Sequence, residues 1–177
     1  LFRHPKLHRT RELGTYKAPL LLIHESVLVD RLAPRAALAL GADVAFDERF
    51  SGASFADVTN GEQIARYLQV ILQSSAFTHA MLMLDGQLGV EREVVHLDTI
   101  NSAPVVPWKE LSQGHKRRAT ALSQALHRNP TLELLGEIDG FVAEVYGLNE
   151  AHRDAIGDTL ATMLPMAASK ERSVQPT

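Results

Sequence analysis

Arginines in predicted loops or at predicted strand edges are the side chains of this chain best suited to ligand chemistry. A guanidinium group donates two parallel hydrogen bonds, which match guanine O6 and N7 or a phosphate group. The candidate DNA-binding residues of this type are Arg31, Arg35, Arg49 and Arg92. For Arg92 an ion pair that stabilises a strand is the alternative, because acidic residues surround it. Those acids are Glu91, Glu93 and Asp98.

A second cluster of positive charge, Lys116-Arg117-Arg118, adds Lys116 and Arg117 to the candidate DNA-binding residues. The net charge of −3 is not typical of a DNA-binding protein, but the charges are polarised along the chain. Residues 1–17 are basic with a single acid, whereas a long acidic series begins at Glu133. The chain can therefore present one basic face, and a solvated helix surface is the other interpretation of the cluster.

Patterns that would indicate catalysis or metal binding are missing from the sequence. Metal-dependent nucleases use an acid-x-Lys tripeptide to bind the metal and polarise water, and none occurs here. No His-Glu-x-x-His occurs among the scattered histidines. Asp43, Asp47 and Glu48 form a small carboxylate group that a solvated turn explains better. Zero cysteines exclude disulfides and thiolate zinc sites and fit a reducing cytoplasm. We predict no catalytic, cofactor-binding or metal-binding residues in this chain.

The longest apolar periodicity predicts one amphipathic helix over residues 62–85, around which the chain is organised. Asn60 is a possible N-cap, with Gln63 in the capping-box position, and glycines at 86 and 89 end the helix. The helix should be buried against strands around Leu21, Val44 and Val94. Its apolar residues are Ile64, Tyr67, Leu68, Ile71, Leu72, Met81 and Leu84.

Strands are predicted on both sides of this helix. Residues 18–23 form an apolar run of strand length, and residues 37–50 predict a hairpin around the Gly41-Ala-Asp43 turn. Residues 51–59 are small and polar, as in a loop. Residues 90–97 alternate between apolar and charged types, which favours a strand with one wet face.

The rest of the predicted chain is helical. A helical turn at 98–101 leads into an extended segment at 103–107. Three helices follow, over about 115–127, 131–146 and 150–164. Thr131 is a plausible cap for the second, and Pro165 should stop the third.

The predicted fold class is α+β. A small mixed β region packs on one long helix, and a C-terminal bundle of about three helices follows. A chain of 177 residues suits one such domain, and no apolar run is long enough to span a bilayer. The predicted parts are a basic arm at 1–17, an α/β region at 18–112, helices at 113–165 and a disordered tail at 166–177.

Several short motifs follow one another in this order: Tyr67-Leu68, Leu72, Ser74, Leu84, Gly89, Glu91-Arg92, Asp98 and Pro104-Val-Val-Pro107. A second group comprises Ile138-Asp139, Val142, Tyr146-Gly-Leu148, Ile156 and Asp158-Thr-Leu160. This order resembles the C-terminal target-recognition (specificity) domain of adenine-specific DNA methyltransferases of type II and fused type IIG restriction-modification systems. The resemblance extends from Ala18 to Leu164. His24 and Glu25 depart from it, because the family often has a basic residue there.

The resemblance implies a DNA sequence-recognition domain that binds double-stranded DNA in the major groove. The Pro-Pro motif and glycine-rich turn of the family's catalytic half are absent, so we expect no enzyme activity from this fragment. The parent enzyme would use S-adenosylmethionine and carry an N-terminal methyltransferase domain. It would act in the cytoplasm without a membrane partner. In fused systems a nuclease belongs to the same enzyme. The alternative is a protein–protein module that docks a subunit without direct base recognition, which the acidic helical half favours.

Overall fold

A three-stranded antiparallel sheet and six α-helices form the fold in the described residues. The computed structural model describes residues 12–25, 32, 34–47, 49–84, 95 and 97–173. The strands are β1 (Leu20–His24), β2 (Ala36–Ala39) and β3 (Phe50–Ser54). The helices are α1 (Gly61–Gln73), α2 (Ser75–Leu84), α3 (Leu97–Ser102), α4 (Gln113–Arg128), α5 (Leu132–Tyr146) and α6 (Glu150–Ser173). The predicted α+β class is confirmed.

The strand predicted at 18–23 forms the centre of the sheet as β1. It pairs antiparallel with β2 on one side and with β3 on the other, so the order is β2-β1-β3. The predicted hairpin at 37–50 is therefore wrong, because its two halves do not pair with each other. β1 is apolar from Leu20 to Ile23 and is paired on both edges, as is usual for a central strand.

Residues 50–54 form β3, so the loop predicted at 51–59 is wrong for its first part. Small residues suit this strand because the ring of Phe46 lies directly against Gly52. A Cβ atom at Gly52 would overlap that ring, so a larger residue there requires Phe46 to move. The glycine that favoured a loop at this position is thus in close contact with an aromatic ring.

The single helix predicted over 62–85 is wrong, because the chain breaks at Ser74 into α1 and α2. The Ser74 hydroxyl donates to the carbonyl oxygen of Ile71 over 2.7 Å and accepts from the Phe77 amide over 3.1 Å. Serine side chains that bond to the local backbone compete with helical hydrogen bonds. Asp139 of α5 then accepts from both the amide and the hydroxyl of Ser75, over 2.7 and 2.9 Å.

The start of α1 also differs from the predicted capping box. Asn60 precedes the helix, but its φ is 60° and its side chain caps no backbone amide. A capping side chain works from extended backbone, and the left-handed conformation of Asn60 is incompatible with it. Gly61 instead donates to the carbonyl oxygen of Val58 over 2.8 Å, so a turn leads directly into the helix.

The core lies where α1 meets the sheet, α4 and α5. One face of α1 is buried, as predicted, and Leu21 of β1 belongs to the same apolar cluster. Leu68 is only partly buried, and Leu84 at the end of α2 is 49% exposed. α4 supplies the largest helix contact of α1, which the sequence did not predict. The largest fully buried side chains are Leu20, Leu21, Tyr67, Met81, Leu135, Ile138 and Phe141.

The three C-terminal helices are confirmed as α4, α5 and α6. Thr131 caps α5 by accepting from the Leu134 amide over 3.1 Å, as predicted. Gly147 ends α5 with a φ of 64°, a conformation that favours glycine. The prediction that Pro165 stops the third helix is wrong, because α6 continues to Ser173. Residues 166–173 thus belong to a helix, and 174–177 lie outside the described residues.

The helical turn predicted at 98–101 is confirmed within α3, which begins at Leu97. The strand predicted at 90–97 lies outside the described residues except for Val95 and Leu97. Val95 is buried and donates to the carbonyl oxygen of Glu25 over 2.7 Å. Of the predicted basic arm, Leu13–Tyr16 forms a short 3-10 turn and residues 1–11 are not described. Within the described ranges, none of the helices combines the length and apolar character that a membrane-spanning segment requires.

A pair of leucine substitutions tests the buried face of α1 and α2. Leu72→Ala removes a side chain that is 5% exposed and should lower the free energy of unfolding by about 2–5 kcal/mol. Leu84→Ala is the matched control and should change it by less than about 0.5 kcal/mol, because that leucine is already half exposed. Chemical denaturation measures both. Equal effects of the two substitutions would contradict the described packing.

Candidate functional site

Arg35 and Arg49 lie on either side of the end of β1, although a long loop separates them in sequence. The His24 amide donates to the carbonyl oxygen of Arg35 over 2.8 Å. The next amide, that of Glu25, donates to the carbonyl oxygen of Arg49 over 3.2 Å. The antiparallel pairing of β1 with both neighbours brings the residues before β2 and β3 to one end of the sheet. Two predicted site residues therefore converge there.

Polar and aromatic side chains complete this end of the sheet. The Ser51 hydroxyl donates to the Glu25 carboxylate over 3.2 Å, and the His24 ring packs edge-on against Phe50 with centroids 5.2 Å apart. We call His24, Glu25, Arg35, Arg49 and Ser51 the sheet-end cluster. Sequence reasoning missed His24, Glu25 and Ser51 as members, because only the strand pairing brings them next to the arginines.

Arg49 is bound to Asp47 at the surface. Its Nε and Nη2 atoms donate to Oδ2 of Asp47 over 3.2 and 2.9 Å, and its side chain is 76% exposed. Hydrogen bonds from Arg49 hold the pKa of Asp47 below its ordinary value of 3.8. The carboxylate is therefore ionised at neutral pH. The pair stays intact there, and it occupies only part of the five N–H donors of the Arg49 side chain.

Two glutamines of α1 bind the backbone at Arg35 and Ala36. The Arg35 amide donates to Oε1 of Gln73 over 3.0 Å. Gln69 donates to the carbonyl oxygen of Ala36 over 3.2 Å and accepts from Ser123 of α4 over 2.7 Å. These buried amides fix the start of β2 against the helices, so the backbone of Arg35 is rigidly placed.

Lys116 and Arg117 lie on the first turns of α4, at a different place. Together with the start of α1 they line a groove of about 550 Å³, which we call the α1–α4 groove. α1 and α4 run in the same direction, because Gln63 lies near Lys116 at this groove and Gln69 bonds to Ser123 further along. Gln63 and Gln73 are separated by about 15 Å at the helical rise of about 1.5 Å per residue. The Gln63 end of the groove and Arg35 therefore lie at different levels along α1.

Arg118, the third member of the basic cluster, does not line the groove and is paired with an acid instead. Its Nη1 donates to Glu144 of α5 over 2.7 Å, and His115 contacts the other carboxylate oxygen over 3.0 Å. The hydrogen bond with His115, together with the charge of Arg118, lowers the pKa of Glu144 from its ordinary value. Part of the predicted basic cluster thus serves to join α4 to α5.

The remaining predicted DNA-binding residues, Arg31 and Arg92, lie outside the described residues. The structure therefore places the backbones of Arg35 and Arg49 at one end of the sheet, and it places Lys116 and Arg117 at the α1–α4 groove. Within the described part of the chain, no group of three or more histidines and acids is placed to hold a metal ion.

An apolar cavity of about 360 Å³ lies between α2, α5 and α6. Small side chains leave this space open, since alanines contribute to it from α2, from the segment before Pro104, and from α6. Residues that line it include Phe77, Ala80, Pro104, Val142, Ala155 and Ile156. The sequence did not single out this cavity, because its walls come from helices that are distant in the chain.

Two tyrosines attach the extended segment 104–107 beside this cavity. Tyr146 donates to the carbonyl oxygen of Pro104 over 2.9 Å, and Tyr67 donates to that of Val106 over 3.0 Å. Burial raises the pKa of both tyrosines above the ordinary value of 10.0, so they remain protonated donors at neutral pH.

Comparison of the chain with family models, curated proteins and solved structures found no match.

The exposed pair at Asp47 provides a test of the sheet-end cluster. Asp47→Ala should leave the denaturation midpoint almost unchanged, because exposed ion pairs contribute little to stability. It should speed the exchange of the Arg49 Nε–H proton, measured by NMR, since its acceptor is gone. At a pH well below the ordinary pKa of Asp47, the wild-type chain and Asp47→Ala should exchange this proton at the same rate, because the protonated carboxyl group no longer holds it. Unchanged exchange in Asp47→Ala would show that Arg49 is held by another group.

Proposed function

We propose that this chain is the DNA sequence-recognition domain of an adenine-specific methyltransferase from a restriction-modification system. Its partners would be double-stranded DNA and the N-terminal catalytic domain of the same polypeptide, which would bind S-adenosylmethionine in the cytoplasm. The catalytic domain would extrude the target adenine and transfer the methyl group. The present chain would supply sequence discrimination and no catalytic residue.

The sheet-end cluster is the observation that carries this proposal. Arg35 and Arg49 flank one strand end, and their backbones are held by strand pairing and, for Arg35, by Gln73. Side chains that recognise base edges need such a rigid base, because a bidentate hydrogen bond tolerates little displacement.

The charge of the cluster favours recognition of bases over nonspecific attraction to phosphate. Among the described residues, Glu25 and Asp47 offset Arg35 and Arg49, so that part of the sheet end carries little net charge. Phosphate contacts need positive charge, whereas base recognition needs donors and acceptors in a defined arrangement. Glu25 and Ser51 supply an acceptor and a hydroxyl at the same end of the sheet.

Substitution of the two arginines in the complete parent enzyme tests the proposal. Arg35→Ala and Arg49→Ala should each reduce binding to the cognate duplex by roughly 1–3 kcal/mol and relax discrimination at one base position. The reason is the loss of a bidentate contact to one base. Competition titrations against cognate and single-mismatch duplexes measure both quantities. Arg31 and Arg92 are candidates for the same experiment.

Lys116→Ala is the contrasting variant in that experiment. It should weaken binding to all duplexes alike, because a phosphate contact carries no sequence information. If Arg35→Ala and Arg49→Ala keep wild-type affinity and discrimination, the sheet-end cluster does not recognise bases. If the parent enzyme keeps its specificity after deletion of residues 18–107, the recognition function itself belongs elsewhere.

Subunit docking is a second candidate function, and the cavity between α2, α5 and α6 favours it. The cavity is lined mainly by apolar side chains and has the size of a site for a large apolar group. An apolar side chain from the catalytic domain of the parent enzyme would remove this surface from water. The domain would then hold the catalytic domain in place without touching bases.

Ala155→Glu in the parent enzyme tests docking. Ala155 is exposed at the cavity wall, so a charge there costs the isolated fold little but opposes burial of an apolar group. Docking predicts a lower temperature of domain dissociation by calorimetry, with unchanged discrimination between duplexes once bound. Ala161→Glu, on an exposed site of α6 away from this lining, is the control. Identical behaviour of the two variants would argue against docking through the cavity.

A further inference from the structure

The α1–α4 groove contains the cations of the predicted site that no acid neutralises in the described part of the chain. Arg49 is bound to Asp47, and Arg118 is bound to Glu144. Lys116 and Arg117 have no ion-pair partner among the described residues, and neither makes a hydrogen bond to an acid there. The positive charge of the groove is therefore available to a ligand.

Most of the other side chains that line the groove are uncharged hydrogen-bonding groups. Gln63 of α1 and Gln113 and Gln124 of α4 line it, and none of its described lining residues is a carboxylate. Amide groups and cations together supply many N–H donors in a space of about 550 Å³. A ligand that fits such a surface carries negative charge and several acceptor oxygens at separated positions, as a phosphodiester backbone does.

The ring of Trp108 forms part of the groove wall, and its fluorescence can report on binding there. The ammonium group of Lys116 lies 5.4 Å from the centroid of its ring, and Tyr67 packs on the ring with centroids 5.9 Å apart. The cation–π contact places the ammonium group at the groove without an acid to compete with a phosphate. Trp108 is the only tryptophan of the chain, so its fluorescence reports on this site alone.

We propose that the α1–α4 groove binds the phosphodiester backbone of nucleic acid without regard to base sequence. The inference rests on the proposed function for the choice of duplex DNA as the polymer. Lys116 and Arg117 would each neutralise a phosphate, and the glutamines would donate to phosphate or sugar oxygens. The Gln63 end of the groove lies about 15 Å along α1 from Gln73, which binds the backbone of Arg35. One segment of backbone would thus be held at a distance from the bases that the cluster recognises.

Titration of the complete chain with a short duplex of arbitrary sequence tests this inference. Fluorescence anisotropy of the labelled duplex at several salt concentrations gives affinity and salt slope, and Trp108 emission gives occupancy of the groove. Wild-type binding should change Trp108 emission. The double variant Lys116→Ala with Arg117→Ala should lower the salt slope by about two units, one for each cation. Lys116→Arg with Arg117→Lys should restore most of the slope.

The matched control is the double variant Arg128→Ala with Arg153→Ala, which removes the same charge from exposed sites outside the groove. An equal loss of salt slope in both double variants would contradict binding at the groove and would indicate a general effect of charge. Unchanged Trp108 emission during wild-type binding would overturn it as well. A response of Trp108 to polyglutamate but not to duplex would indicate an acidic protein ligand and contradict the phosphodiester assignment.

The outcome is separable from that of the proposed function. If the groove binds duplex while Arg35→Ala and Arg49→Ala keep full discrimination, the inference stands and base recognition at the sheet end fails. If those variants lose discrimination between duplexes while Trp108 emission does not change on binding, base recognition at the sheet end is supported and DNA binding at the groove is contradicted. Circular dichroism of each variant confirms that it is folded before it is compared.

Discussion

The buried amide of Gln69 joins the sheet to the helices, and both candidate surfaces depend on it. It donates to the backbone of β2 and accepts from Ser123 of α4, so three elements meet at one side chain. A buried amide that lost either partner would be unsatisfied, which costs about 1–3 kcal/mol. Gln73, one turn later, holds the amide of Arg35 in the same way. The start of β2 and the spacing of α1 and α4 are therefore set by one polar network inside an apolar core.

A second polar contact decides the shape of the other half of the molecule. Asp139 accepts both donors of Ser75, and it therefore satisfies the start of α2 with a carboxylate from α5. A carboxylate at a helix N-terminus also interacts favourably with the helix dipole. α2 consequently leaves the line of α1 and packs on α6, which opens the apolar cavity between α2, α5 and α6. The two serines at the break have a structural role that links separate helices.

Charge pairing divides the predicted cations into two groups with different physical properties. Arg49 and Arg118 each have a carboxylate partner, whereas Lys116 and Arg117 have none in the described part of the chain. A paired guanidinium has already given part of its five N–H donors and its charge to one partner, so its gain from a further acceptor depends on geometry. An unpaired cation gains from any phosphate within reach, with little dependence on sequence. The arrangement agrees with a separation of base recognition from backbone binding within one small domain.

Local patterns predicted those parts of the fold that local forces stabilise. The apolar run at 18–23 became the central strand, Thr131 capped its helix, and the 3.6-residue periodicity located the C-terminal helices. Arg35 and Arg49, which the sequence singled out, have their backbones at one end of the sheet, and their role in DNA binding stays a prediction. Asp47 lies two residues before Arg49, so the sequence already indicated an ion pair between them. The interpretation of Asp47 as part of a solvated turn did not consider that pair. The glutamines of the α1–α4 groove had no signal, because an exposed glutamine on a helix has no distinctive pattern.

The sequence by itself determined the α+β class, the apolar faces of the helices and the positions of most helix ends, because propensity, periodicity and capping act over a few residues. Only the tertiary structure decided which strands pair and which of the described cations keep an unopposed charge. Strand pairing depends on contacts between distant segments, since β2 lies between β1 and β3 in the chain. At the break, the local bonds of the Ser74 hydroxyl are joined by the contact of Asp139 with Ser75, and the charge of Arg118 depends on Glu144. Partners that are tens of residues apart leave no local pattern, because their interaction exists only after the core has brought them together.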